Sequence, residues 1–320
     1  MRNGEGRQAH RWGWEPLESR VALSRAASFG AVGDSLTDEY RFYPPDRSQA
    51  RNWVETLTAT RNVDFGAYTT RDRGLPRDQG YANNWAKEDA TTQGVVGGQL
   101  PGLARQVASG RVTYAAVGMG TNDFLFFAES VAAQALAGAP PTNLGQELAA
   151  VEANAVANFD ATVETLLEAN PGAKVIVETT PDIRQVPIVA QYLAIPGIGP
   201  VADAIAAAQA AYNQNIRQVA ADLHQRVALA DLAAQADSYE SGSATTLPIG
   251  GIQVSLTTTG DNFHNAVLAD KIHPGTVLQG LIANDIVAAA DALGASIKPL
   301  SPAEIVGRAR DVASHPGTAR

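Results

Sequence analysis

Four short apolar runs, separated by helical patterns, constrain the fold of this 320-residue chain more than any other feature. The runs cover residues 26–32, 112–117, 173–179 and 227–230. The helical patterns between them cover residues 99–108, 144–168 and 201–225. Strands that alternate with helices of this length form parallel βαβ units, and helices cover both faces of the resulting sheet. We therefore predict an α/β fold of three layers with a mostly parallel central sheet.

The end of the first run carries a candidate nucleophile, because ligands bind beyond the carboxyl ends of strands in such a sheet. Gly33 ends this strand, and Asp34 and Ser35 follow directly. A serine between a strand end and a helix start is exposed, and its amide together with the helix dipole favours a developing negative charge. The alternative is that Ser35 or Thr37 only caps a helix.

Polar residues also follow the second run, where Thr121, Asn122 and Asp123 come after Gly120. An Asn-Asp pair after a strand is, by itself, typical of a turn or a helix cap. Its position at a second strand end predicts that Asn122 lies near Ser35, at the same edge of the sheet.

Two Asp-His pairs with the same spacing occur late in the chain, Asp261 with His264 and Asp270 with His273. Pro274 disfavours helix at His273 and pushes it towards an extended conformation, so the imidazole can project while a helical pattern begins at residue 277. The aspartate and the imidazole then share one rigid corner. The earlier pair lacks both the proline and the helix, so we favour Asp270 and His273.

The segments 33–38, 120–123 and 270–275 together resemble three sequence blocks of the SGNH hydrolases, the family of GDSL-type esterases and lipases. The resemblance extends from residue 26 to about residue 293. It implies a flavodoxin-like α/β sandwich and a serine ester hydrolase that works through an acyl-serine intermediate. Ser35 would be the nucleophile, His273 the base, and Asp270 the group that orients the imidazole.

The same resemblance implies an oxyanion hole, formed by the backbone amides of Ser35 and Asp89 and the side-chain amide of Asn122. Position 89 departs from the family pattern, which has glycine there. A backbone donor survives this change, and we expect the carboxylate of Asp89 to point outward or to pair with Lys87 or Arg73.

The substrate is expected to be an ester of a small molecule, a lipid or a glycan, and fold kinship does not choose among them. Asp34, Thr121 and His264 are expected to line its site, although His264 also fits an ordinary loop histidine. The mechanism needs no metal or organic cofactor, and the five histidines show no zinc-like spacing. Aromatic residues that follow two of the blocks either line an acyl pocket or pack in the core: Tyr40, Phe42, Tyr43, Phe124, Phe126 and Phe127.

Two other functions deserve comparison with this prediction. An α/β-hydrolase has the same order of serine, acid and histidine, but its nucleophile elbow needs glycine where this chain has Thr37. A catalytically impaired module that keeps the fold and binds a glycan or a lipid is the second alternative, and Asp89 is the residue that suggests it.

Composition narrows the partners further. The formal net charge is −9, which argues against a nucleic-acid partner, because such binding needs lysine and arginine to neutralise phosphates. The chain has no cysteine, so it forms no disulfide and no thiolate site, and this composition fits a reducing as well as an oxidising compartment. No apolar run approaches the roughly 20 residues that a transmembrane helix needs, and nothing in the sequence specifies an oligomeric state.

The sequence divides into three parts. Residues 1–25 form a basic leader with five arginines and three glutamates, 26–293 the hydrolase domain, and 294–320 a peripheral helix at 303–312 and a tail. Within the leader, residues 14–24 resemble a short N-terminal motif of exported bacterial proteins, which predicts an extracytoplasmic location. A leader without an address, and with it a cytoplasmic location, is the alternative.

Overall fold

A computed structural model describes residues 27–45, 47–70, 79–139, 142–193, 195, 198–240 and 244–316. The strands are β1 (Phe29–Gly33), β2 (Tyr68–Thr69), β3 (Gly80–Tyr81), β4 (Tyr114–Gly118), β5 (Lys174–Glu178), β6 (Val227–Ala230), β7 (Thr246–Ile249), β8 (Ile252–Thr259) and β9 (Asn265–Val267). The helices are α1 (Trp53–Arg61), α2 (Thr92–Gly94), α3 (Leu100–Ala108), α4 (Thr121–Leu136), α5 (Leu144–Ala169), α6 (Pro187–Leu193), α7 (Gly199–Asp222), α8 (Leu232–Glu240), α9 (Thr276–Ala292) and α10 (Pro302–Ser314). A π-helical turn, Val95–Gln99, joins α2 to α3.

The central sheet has the strand order β1-β4-β5-β6, and every neighbouring pair is parallel. The four predicted strands and the parallel α/β fold are thereby confirmed. The register places Gly33 opposite Gly118 and Val117 opposite Val177. Because the strands end in register, the residues that follow β1, β4 and β5 meet at one edge of the sheet.

Two hydrophobic cores lie on opposite faces of this sheet, because successive strand residues point to opposite sides. Ala116 and Ile176 pack in one core, with side chains of α1, α9 and α10. Val117 and Val177 pack in the other, with side chains of α3, α5 and α7. The predicted three layers therefore exist.

Helix α1 is fixed to the chain segment that follows β1. Asn52 caps it, accepting a hydrogen bond from the Glu55 amide while the Glu55 carboxylate accepts one from the Asn52 amide. Trp53 and Leu57 are fully buried, as their spacing on one helix face predicts. The Trp53 indole donates to the Thr37 hydroxyl at 3.2 Å, which ties the helix to the turn after β1.

The C-terminal helix α10 is part of the core and not peripheral, which corrects the expectation for residues 303–312. Ile305, Val306 and Val312 are each 1% exposed or less, and Ile305 packs against Gly280 of α9. Apolar residues at three- and four-residue spacing give α10 a buried face, and α9 offers small residues that let it approach. The leader at 1–25 and the last residues of the tail lie outside the described residues.

Two small sheets lie outside the βαβ pattern. One is the antiparallel pair β2–β3, and the other is the three-stranded sheet β7-β8-β9. None of the helices within the described ranges is long and apolar enough to cross a bilayer.

Candidate active site

The turn after β1 holds Ser35 at the edge of the sheet. The amides of Thr37 and Asp38 donate to the Asp34 carbonyl at 3.1 and 3.0 Å, and the Leu36 amide donates to Asp34 Oδ1 at 3.0 Å. The side-chain amide of Gln99 clamps Gly33 at both its N–H and its C=O, each at 2.8 Å. Ser35 is 9% exposed, so it lies just under the surface in a turn fixed from both sides.

Asp270 and His273 form a tight pair in the turn before α9. His273 Nδ1 lies 2.7 Å from Asp270 Oδ2, and the amides of Ile272 and His273 both donate to Asp270 Oδ1 at 2.9 Å. Burial acts to raise the pKa of Asp270, but the hydrogen bond and charge of His273, with the two amides, outweigh it and lower that pKa. A carboxylate at Nδ1 selects the tautomer with hydrogen there, which leaves the lone pair of the imidazole on Nε2.

Asn122 in α4 contacts the chain segment before α2, and Asp89 lies in that segment. Asn122, in the first turn of α4, donates from Nδ2 to the carbonyl of Ala90 at 3.1 Å. Asp89 has a φ of 60°, the left-handed conformation that favours glycine, and the residue is exposed. The backbone thus keeps the shape that a glycine would give it, while the carboxylate has access to solvent. Lys87 is also exposed, and Arg73 lies outside the described residues.

One cavity of about 150 Å³ joins these elements. Its polar end is formed by Asp34, Ser35, Thr121 and Asn122. The remaining wall is mostly apolar: Leu36, Leu125, Pro181, Gln185, Val186, Pro187, Leu232, Ala236, Val267, Ile272, Pro274, Leu278 and Ile282. Because Ile272 and Pro274 flank His273 in the chain, the cavity brings the candidate nucleophile and the Asp270–His273 turn to one place. A serine that lines the same cavity as the two residues flanking an imidazole of fixed tautomer is an arrangement suited to nucleophilic acyl transfer.

The six aromatic residues that were candidates for the acyl pocket do not line this cavity. Tyr40 and Phe124 are fully buried in cores, and Phe42 stacks on Tyr68. Phe126 is 36% exposed, and Phe127 packs at the edge of a core. Core packing, the commoner role of such residues, therefore accounts for three of the six, namely Tyr40, Phe124 and Phe127.

The competing pair of Asp261 and His264 is not connected in the structure. Asp261 Oδ1 accepts a hydrogen bond from the Ala269 amide at 3.1 Å, and His264 Nδ1 faces the Gln253 carbonyl at 3.3 Å. His264 is exposed on the β7-β8-β9 sheet and does not line the cavity, so the structure does not bring it to the substrate position expected for it.

A buried arginine contacts the imidazole, and nothing in the sequence patterns pointed to it. Arg47 Nη1 lies 3.3 Å from His273 Nε2, and Arg47 Nη2 lies 2.6 Å from Glu88 Oε1. Among the described residues, the hydrogen-bond partner of Nε2 is therefore Arg47 and not Ser35. A single arginine in a loop has no local sequence signature. The one signal available for Arg47 was its position, with Tyr43, in the chain segment that follows the candidate nucleophile.

Two buried carboxyl groups lie beneath the nucleophile turn. Burial raises the pKa of Asp34 to about 7. The hydrogen bond from the Leu36 amide opposes this rise, and the negative charge of Asp123 adds to it. Burial, with the charge of Asp34, raises the pKa of Glu178 to about 8. Among the residues that the structure describes, Glu178 Oε1 has no hydrogen-bond partner. At neutral pH both groups are therefore protonated to a much greater extent than ordinary carboxylates.

Comparisons with known proteins give a family match for most of the chain. The chain matches the model of the GDSL-like Lipase/Acylhydrolase family over residues 31–276, which contain Ser35, Asn122, Asp270 and His273. No match to a curated protein is found.

Several solved structures are similar to the chain at low identity. The lipase Lip_vut3 from a goat rumen metagenome has 13% identity and a TM-score of 0.49, over 82% of this chain and 97% of that chain. The phospholipase A1 of Streptomyces albidoflavus NA297 has 15% identity and a TM-score of 0.42, over 85% and 98%. A family 3 carbohydrate esterase of Clostridium thermocellum has 14% identity and a TM-score of 0.41, over 84% and 98%. Likeness at this level carries no argument about the reaction.

Proposed function

The chain belongs to the GDSL-like lipase/acylhydrolase family, and on this premise we propose that it is a serine hydrolase of carboxylic esters. Ser35 attacks the ester carbonyl, and His273 takes the hydroxyl proton and then gives it to the departing alcohol. Water releases the acid from acyl-Ser35 in a second step of the same kind. Asp270 holds the imidazole in the required tautomer throughout.

The observation that carries this proposal is the 2.7 Å contact of Asp270 with His273 Nδ1, beside the cavity that Ser35 lines. A base must offer a lone pair and must be held in place by a third group, and this pair meets both conditions. We propose that the amides of Ser35 and Asp89 and the Asn122 side chain bind the oxyanion. Removal of one such donor typically costs a factor of about 100 to 1,000 in kcat.

The apolar wall of the cavity supports an acyl-binding role. Leu278 and Ile282 of α9 line it together with Val186 and Pro187, and most of its other lining residues are apolar as well. A volume of about 150 Å³ equals about five water molecules at their share of about 30 Å³ each, which matches a short acyl chain. Each buried methylene adds about 0.8 kcal/mol of binding until the cavity is full. We propose that the preferred acyl group has about four to six carbons.

The test is a panel of p-nitrophenyl esters from acetate to laurate. We expect kcat/KM to rise from acetate to a maximum near butanoate or hexanoate and to fall for laurate. Ser35→Ala abolishes turnover, whereas the control Ser130→Ala, at an exposed position of α4, leaves it unchanged. If the wild type turns over no ester of the panel, the chain is a binding module that keeps the fold, and the proposal is wrong.

A further inference from the structure

Arg47 is held against the catalytic histidine by contacts on all sides. Only 2% of the residue is exposed. Its guanidinium lies 4.0 Å from the centre of the Tyr43 ring and 5.4 Å from that of Tyr40, and both rings face the cation. Asp38 Oδ2 accepts hydrogen bonds from the Tyr43 hydroxyl and from the Glu88 amide, so one carboxylate fixes two of the groups that hold Arg47.

The contact has a direct consequence for the reaction proposed above. With Asp270 at Nδ1, the lone pair on His273 Nε2 accepts a hydrogen bond from Arg47 Nη1. The same lone pair must accept the proton of Ser35, and it serves one donor at a time. An imidazolium formed beside the guanidinium is also repelled by it. Arg47 must therefore turn away from Nε2 before the base can act.

The position of Arg47 identifies the side of the substrate that it faces. When His273 protonates the departing alcohol, its Nε2 points at the alcohol oxygen. The cavity proposed for the acyl part is lined by Ser35, Asn122 and Pro274, and Arg47 does not line it. The acyl part of an ester in the cavity thus places its alcohol part near Arg47.

Within the described residues, the carboxylate that pairs with Arg47 is Glu88, and this partner can be exchanged. The Glu88 side chain is 33% exposed, whereas the Arg47 side chain is 2% exposed. Glu88 can therefore rotate into solvent, and another anionic group can then bind the guanidinium and draw it off Nε2. A planar guanidinium fits carboxylate and phosphate oxygens in the same two-point geometry.

We propose that Arg47 selects esters whose alcohol part carries an anionic group, a carboxylate or a phosphate, and that this group draws Arg47 away from His273 Nε2. The binding of the correct substrate then frees the base. Arg47 is a specificity-determining residue in this scheme. In the absence of substrate, the Glu88 carboxylate pairs with Arg47 in place of the anionic group of the substrate. The proposal rests on the proposed function of the site.

The first experiment compares two butanoate esters that differ in one charge, those of 4-hydroxybenzoate and of methyl 4-hydroxybenzoate. We expect the wild type to show a kcat/KM at least about tenfold higher for the anionic ester, the scale of a charge-assisted pair. Arg47→Gln lowers kcat/KM for the anionic ester by about tenfold or more and raises kcat for the neutral one, because Nε2 is freed. Arg47→Lys keeps part of the preference. The control Arg105→Gln makes the same charge change at an exposed position of α3 and leaves the ratio as it is.

An equal ratio of the two esters in wild type and Arg47→Gln overturns the proposal, and so does a uniform acceleration of both by Arg47→Gln. A binding measurement separates this failure from that of the proposed function, because it needs no turnover. The Kd of 4-carboxyphenyl butanoate for the Ser35→Ala protein should rise about tenfold when Arg47→Gln is added and fall when Glu88→Gln is added. A Kd that ignores both changes refutes the role of Arg47, whether or not the wild type hydrolyses esters.

Discussion

Glu178→Gln removes a carboxyl group that packs beside Gly118 at the end of β4 and whose Oε1 has no hydrogen-bond partner in the described part of the chain. Burial, with the charge of Asp34, raises the pKa of Glu178 from its ordinary 4.5 to about 8. At Glu178, the folded protein therefore holds a proton that the unfolded chain has lost between these pH values. The contribution of Glu178 to stability is fully present below pH 4.5 and is lost as the pH rises towards 8, by about 5 kcal/mol at about 1.4 kcal/mol per pH unit.

The assay is urea unfolding of the wild type and of Glu178→Gln at several values from pH 5 to pH 9. Because glutamine does not titrate, the variant should gain about 4 kcal/mol relative to the wild type across this range. Asp34 titrates in both proteins, so its own contribution cancels in the comparison to first order. The exposed control Glu168→Gln makes the same charge change and should run parallel to the wild type. Parallel curves for wild type and Glu178→Gln would show that Glu178 is ionised in the folded protein and would refute the reasoning.

Three further outcomes are expected. Glu55→Gln should lower the free energy of unfolding, measured by urea titration, by about 3 to 5 kcal/mol. The Glu55 carboxylate lies 2.5 Å from Arg41 and 3.5 Å from Arg51, and the change leaves both arginines buried without it. A loss below about 1 kcal/mol would contradict this prediction. Asp89→Gly should raise the free energy of unfolding by about 1 kcal/mol, because it relieves the strain of a left-handed backbone at a residue other than glycine. The same change should alter the turnover of p-nitrophenyl butanoate little. A gain in turnover of about a hundredfold would mean that the oxyanion hole is defective with Asp89 in place. Asp270→Asn should lower kcat by about 10,000-fold with little change in KM, since the wrong tautomer then faces Ser35; steady-state kinetics that show a KM effect alone would argue against an orienting role.

The fold and part of the site could be predicted because they depend on local patterns. Apolar runs of strand length followed by amphipathic helices predict a parallel sheet whatever the loops contain, and the four strands are found where they were expected. Asp270 and His273 meet because they are three residues apart in one turn, and Ser35 and Asn122 follow neighbouring strands whose ends are in register. The outward position of Asp89 follows from the tolerance of aspartate for a left-handed backbone.

Contacts between distant segments were decided by tertiary structure alone. Arg47 reaches His273 across 226 positions of the chain, and it meets Glu88 across 41. In the sequence, Glu178 is the end of an ordinary strand, and only the tertiary structure buries it near Asp34. The burial of α10 is of the same kind, because it depends on the room that Gly280 leaves for Ile305. Periodicity determines which face of an element is apolar, but loop paths and packing determine which side chains that face meets, and no short-range pattern encodes them.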